Sequence, residues 1–242
     1  MALRIEKAVG VAVLLAAAAT AQQAEVRHRH LHGGENGTLR VTSEGVTFDE
    51  AGKKKDHSRK WVWSDIQQLD LRRDSMSILT YEDNKWNSGR DTQYNFDRVP
   101  EDFILQIRTA LRQNLRGRLV EMTPKSASND FEWKAPAKLS RAGWRGSNGV
   151  LSVGPGEVAF EAARPEDSRT WSIADIESIA TSGPYDLAIT TMERSGFARA
   201  SGREFRFQLK EPLDPARYQQ LWTRVERARG LQILNAYKGE SK

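Results

Sequence analysis

Asn36-Gly37-Thr38-Leu39-Arg40-Val41, followed by Val46-Thr47-Phe48, Ser58-Arg59-Lys60-Trp61 and Asp65-Ile66-Gln67-Gln68-Leu69, has a second version further along the chain. It reads Asn148-Gly149-Val150-Leu151-Ser152-Val153, Val158-Ala159-Phe160, Ser168-Arg169-Thr170-Trp171 and Asp175-Ile176-Glu177-Ser178-Ile179. Self-similarity at a fixed distance marks two copies of one supersecondary module. The matched positions are glycines, alternating apolar residues and one tryptophan per copy. They specify an architecture and say little about chemistry.

Outward from the repeat, the first copy reads as a run of short strands. Val26 to Leu31 forms a first strand, Gly33 to Gly37 reads as a turn, and Leu39 with Val41 points to one face. Val46 and Phe48 return after Ser43-Glu44-Gly45, and further strands follow around Trp61, Leu69, Ser77 to Tyr81 and Gln93 to Phe96. The period then changes. Phe103, Ile104, Ile107, Leu111 and Leu115 lie on one helical stripe, with Pro100 in the first turn and Gly117 beyond the end. In the second copy Asp214 is the expected N-cap, Pro215 opens the helix, Tyr218, Leu221, Trp222 and Val225 form the stripe, and Gly230 is the expected stop.

The start of the chain has the three parts of a secretory signal: Arg4 and Lys7, the apolar run Ala8 to Ala19, and Ala19-Thr20-Ala21 as a small-residue cleavage site. The expected organisation is therefore a signal at 1–21, a first domain at 22–117, a linker at 118–130, a second domain at 131–230 and a tail at 231–242. Cysteine is absent, which excludes a disulfide framework, thiolate metal sites, cysteine nucleophiles and a lipidated N-terminus. The formal net charge of +5 is spread among interspersed charges of both signs, which argues against a nucleic-acid partner.

Many short strands closed by one amphipathic helix, twice over, resemble the pleckstrin homology-like superfold with its GRAM-type relatives. The likeness rests on the Gly-x-Leu-x-Val opening, the strands ending at Trp61 and Trp171, the Asp65-Ile66 and Asp175-Ile176 corners, the aromatic pairs Tyr94/Phe96 and Phe205/Phe207, and the two helices. It implies a mainly β fold of two tandem sandwich or barrel domains, each capped by its helix. The superfold serves lipid, peptide and protein binding alike, so it does not choose a function.

Three groups of residues are candidates for more than architecture. Trp61 and Trp171 are expected to pack in the core against the terminal helix, and Asp65 and Asp175 to cap their corners by accepting backbone N–H bonds. His28, His30 and His32 share one face of an extended strand, a pattern able to hold a metal ion; Ser140, Ala142 and Trp144 stand near these places in the second copy. His57 reads as a loop bystander. Lys53, Lys54, Lys55, Arg59 and Lys60 form a basic group able to contact an anionic membrane. No nucleophile elbow, phosphate-cradling loop or His-Glu-x-x-His pair is present, so the chain is not expected to be an enzyme or to carry a cofactor. The expectation is an exported, monomeric binding protein with a protein or peptide partner. The alternatives are a module that binds an anionic membrane surface, and a metal-binding protein or metal-dependent enzyme that uses the His28, His30 and His32 strand.

Overall fold

The computed structural model describes residues 21–30, 33–52, 57–84, 90–122, 130–140, 145–194 and 202–239, the last nine of these by backbone alone. The signal segment through residue 20, His32, Lys53, Lys54, Lys55 and linker residues 123–129 lie outside the described residues.

Seven strands come first: β1 (Gln22–His30), β2 (Gly33–Val41), β3 (Gly45–Glu50), β4 (Arg59–Val62), β5 (Ile66–Leu71), β6 (Ser75–Asp83) and β7 (Asp91–Asp97). Helix α1 (Glu101–Leu115) and the short strand β8 (Leu119–Glu121) follow. The second half repeats the series as β9 (Trp133–Ser140), β10 (Ser147–Val153), β11 (Glu157–Ala162), β12 (Arg169–Ser172), β13 (Ile176–Ala180), β14 (Asp186–Thr191), β15 (Arg203–Leu209) and α2 (Pro215–Gly239).

All fifteen strands belong to one sheet, ordered β13-β14-β15-β9-β10-β11-β12-β8-β5-β6-β7-β1-β2-β3-β4. Within it, β5-β6-β7-β1-β2-β3-β4 of the first half and β13-β14-β15-β9-β10-β11-β12 of the second are the same order. The sequence repeat is thus matched by a repeat of strand order. β8 joins the two: it runs parallel to β5 through Leu69↔Leu119 to Leu71↔Glu121, and antiparallel to β12 at Thr170↔Glu121.

Each half buries its own apolar cluster. Leu39, Phe48, Trp61, Leu69, Ile78 and Phe96 meet the α1 stripe of Phe103, Ile104, Ile107, Leu111 and Leu115. Leu151, Phe160, Trp171, Ile189 and Phe207 meet Leu221 and Val225 of α2. Burying each large apolar side chain of α1 contributes about 1.5–3 kcal/mol, far more than helix propensity supplies, so the stripe is what holds the helix. The tryptophan surroundings are duplicated too. Trp61 lies 4.8 Å from Tyr94 and 6.1 Å from Phe96, ring centre to ring centre, and Trp171 lies 4.9 Å from Phe205 and 6.4 Å from Phe207. Their ring neighbours therefore come from the last strand of each half, where the sequence suggested the helix. Both indole N–H groups are buried without a hydrogen-bond partner, so the position uses the ring for its shape.

Gly37 and Gly149 show why the opening motif needs glycine. A Cβ on Gly37 would stand 2.3 Å from the Asp49 carbonyl oxygen and 2.7 Å from the Phe48 ring; on Gly149 it would stand 2.2 Å from the Glu161 carbonyl oxygen and 2.8 Å from the Phe160 ring. The glycine lets an aromatic ring from the neighbouring strand lie across the backbone.

Three sequence expectations change. Gly33 to Gly37 is strand, paired with β1 from His30↔Gly33 to Val26↔Gly37, and Gly34 and Gly37 there serve close approach and not reversal. The expected linker at 118–130 contains the whole of β8, whose residues are all buried. Gly117 lies beyond the end of α1 as expected: Arg116 closes the helix at φ 47°, and Gly117 sits against Met192 of the second half. Gly230 does not stop α2, which runs on through the expected tail to Gly239; an interior glycine costs only about 1 kcal/mol against alanine. Asp214 does cap this helix, accepting from Ala216 N at 2.8 Å. Among the described residues no helix is long and apolar enough to cross a membrane.

Candidate functional site

The junction between the halves is polar and buried. Glu121 of β8 receives Arg108 and Arg112 from α1, and Arg112 Nη2 also reaches Glu157 Oε2 of β11 at 3.2 Å. On the other side, the Arg194 N–H donates to Gln68 Oε1 at 3.1 Å, and Gln68 Nε2 donates to Asp70 Oδ1 at 2.7 Å. Arg169 and Arg203 hold the buried carboxylate of Glu193 nearby. Burial pushes the Asp70 carboxyl up, against the Gln68 bond, with Glu193 adding to the rise. Helix α1 of one half is thus tied by charge to β11 of the other.

The two corner aspartates, equivalent in sequence, are used differently. Asp65 accepts from Val62 N at 3.2 Å. In the second copy Ser172 takes the capping part, accepting from Ala174 N at 3.4 Å, and Asp175 faces the junction. Burial raises the Asp175 carboxyl to about 6, Glu121 adds to the rise, and Arg112 and Arg116 oppose it.

A cleft of about 890 Å³ opens beside this junction, and both halves build it. Gln67 and Gln68 of β5, Tyr81 of β6 and the α1 terminus around Arg116 line one side; Glu177 of β13 and Met192 line the other. The floor is fixed by the Arg118 guanidinium, which donates to the carbonyls of Ile66 at 2.6 Å and Trp63 at 3.1 Å. Gln67 donates to Asp91 Oδ2 at 2.7 Å, while its buried Oε1 has no partner. Tyr81 is 62% exposed. Among the described residues the wall strand β13 is an end of the sheet, with β14 as its one strand neighbour. Amide, guanidinium and carboxylate groups dominate the lining, which suits hydrogen-bonding partners better than apolar ones.

A second cluster lies far along the sheet. The β1–β2 register places Glu35 directly across from His28, and the rings of His28 and His30 stand 4.2 Å apart. His57, before β4, joins them with its ring 4.6 Å from that of His30. His28 is only 4% exposed; burial, chiefly, and the neighbouring His30 bring its pKa down to about 4, against the pull of Glu35. His57 is therefore a member of a cluster and not a bystander. Of the basic group, Arg59 and Lys60 are exposed on β4, and Lys60 Nζ is paired with Glu44 Oε2 at 3.1 Å.

Sequence reasoning passed over the cleft residues and Glu35. The available signal for the cleft was the point where two polar pairs differ in charge, Gln67-Gln68 against Glu177-Ser178. For Glu35 it was the alternation that sets it opposite His28 once Gly33 to Gly37 is read as a strand paired with β1.

No family model matches the chain, and no curated protein matches it. Among solved structures, the chain is similar to one in the structure of the Spt16D Pob3N heterodimer, with 12% identity, coverage of 73% of this chain and 89% of that chain, and a TM-score of 0.30.

Proposed function

We propose that this chain is an exported, monomeric and non-catalytic protein of two tandem pleckstrin homology-like units, and that it binds an extended polypeptide in the cleft between them. The repeated strand order, with one helix closing each half, supports the two-unit reading. The observation that carries the binding reading is the composition of the cleft. One wall is an end strand of the sheet, able to accept a further strand by backbone pairing, and the opposite side presents a buried amide oxygen with no partner. A peptide laid along β13 supplies N–H groups to both. Neither half alone encloses this space, which explains a fused pair better than two independent binders would.

Selection of random displayed peptides against the purified protein tests the reading. Selected peptides are expected to lose about tenfold in affinity, or about 1.4 kcal/mol, on Gln67→Leu, and to be indifferent to Tyr185→Ala on an exposed turn. Failure to select any peptide, or peptides unaffected by Gln67→Leu and Tyr81→Ala, would overturn it.

A further inference from the structure

We propose that His28, His30 and Glu35, with His57 as the outer ligand, form a binding site for one divalent transition-metal ion, zinc first among them. Ligand atoms of His28, His30 and Glu35 all lie within 4.8 Å of one another, and His57 Nε2 stands 3.9 Å from Glu35 Oε1. Around a tetrahedral ion with bonds of about 2.0–2.1 Å the donors stand roughly 3.4 Å apart, so side-chain rotations that move donors by up to roughly 1.5 Å bring His28, His30 and Glu35 to that spacing. Three imidazoles and one carboxylate are a donor set of borderline softness, which suits zinc, copper or nickel and not magnesium or calcium.

His28 is buried, and its Nδ1 has no hydrogen-bond partner. A His30–Glu35 ion pair accounts for two members of the cluster and leaves that nitrogen orphaned. A metal ion satisfies it.

The second half supplies an internal comparison. Val26 pairs with Gly37 as Ala137 pairs with Gly149, so two residues further along His28 corresponds to Leu139 and, on the opposing strand, Glu35 to Ser147. Ser58 and Ser168 make the same bond, to the Glu50 and Ala162 N–H groups, which sets His57 against Asp167. Leu139 is 3% exposed within the apolar core. The fold is therefore content with leucine where the first half has histidine, and packing does not require the imidazole. This register also replaces Ser140, the counterpart suggested by sequence spacing, with Leu139. His32, the third ligand expected from sequence, lies outside the described residues, and Glu35 takes its place in the set.

Calorimetric titration of the metal-stripped protein with zinc, with cobalt(II) absorption as a probe of coordination, tests the proposal. One zinc per chain is expected, with four-coordinate cobalt bands. Glu35→Gln and His30→Asn, both at half-exposed positions that leave the core intact, are expected to weaken binding by about tenfold or more, and His32→Ala to leave it within about twofold. His28→Leu, which copies the second half, is expected to fold and to lose the site. The proposal fails if the protein takes up neither metal, if folded Glu35→Gln binds unchanged, or if His32→Ala weakens binding as much as Glu35→Gln does.

Discussion

Replacing Asp175 by asparagine is expected to make the protein more stable at neutral pH and to leave it nearly unchanged in acid. The folded chain holds this carboxyl at about 6, against an ordinary value of 3.8, mainly through burial at the junction and then through Glu121. Between those two values the folded state binds a proton that the unfolded state releases. The protonated carboxyl's contribution is therefore fully present below about pH 3.8 and is lost as pH rises through about 6. At 1.36 kcal/mol per pH unit the interval amounts to roughly 3 kcal/mol, an upper bound because Asp175 keeps some contact with water. Asparagine carries no charge at any pH and escapes the loss. Urea denaturation of wild type and Asp175→Asn across about pH 4 to 8 reads this group together with its coupling to Glu121, since titrations not coupled to it cancel in the difference. The stability difference is expected near zero in acid and to grow to about 2–3 kcal/mol in favour of asparagine above pH 6. A difference that is flat with pH, or that favours aspartate above pH 6, would show that burial does not raise the Asp175 carboxyl.

Other consequences follow from named contacts. Glu121→Ala leaves two arginines facing each other at the junction without their carboxylate and is expected to cost about 3–5 kcal/mol, read as a lower calorimetric melting temperature. Gly37→Ala and Gly149→Ala are each expected to cost about 1–3 kcal/mol in urea denaturation, since the added carbon strikes a backbone oxygen and a phenyl ring in both copies; a neutral result at either would contradict the shared reason. Gly230→Ala is expected to stabilise α2 by about 0.5–1 kcal/mol, because nothing lies within 4 Å of the added carbon and the helix continues through it; destabilisation would restore Gly230 as a helix stop.

How far the fold was legible in the sequence depended on what each residue type can signal. Period-two and period-3.6 patterns around Trp61, Trp171 and the helical stripes announced the mainly β architecture because apolar burial leaves a local trace. Glycine was the weak point. At Gly34 and Gly37 it serves close approach of another segment, which only the neighbour's identity reveals, and turn chemistry reads the same way. β8 escaped for a related reason: three residues carry no periodicity, and their burial depends on partners from both halves. The proposed metal-ligand set was half visible, since alternation puts His28 and His30 on one face, while Glu35 arrives through the β1–β2 register and His57 from the segment before β4. The cleft was not visible at all, because its residues belong to elements that meet only where the two halves join.

The most direct test of the account is site-specific photo-crosslinking in the living source cell, with a photoreactive phenylalanine analogue placed at Tyr81 in the cleft and, separately, at Tyr185 outside it. The account predicts discrete polypeptide adducts from position 81 that disappear when Gln67→Leu is added, and none from position 185. Adducts of equal yield from both positions, or none from position 81, would contradict it.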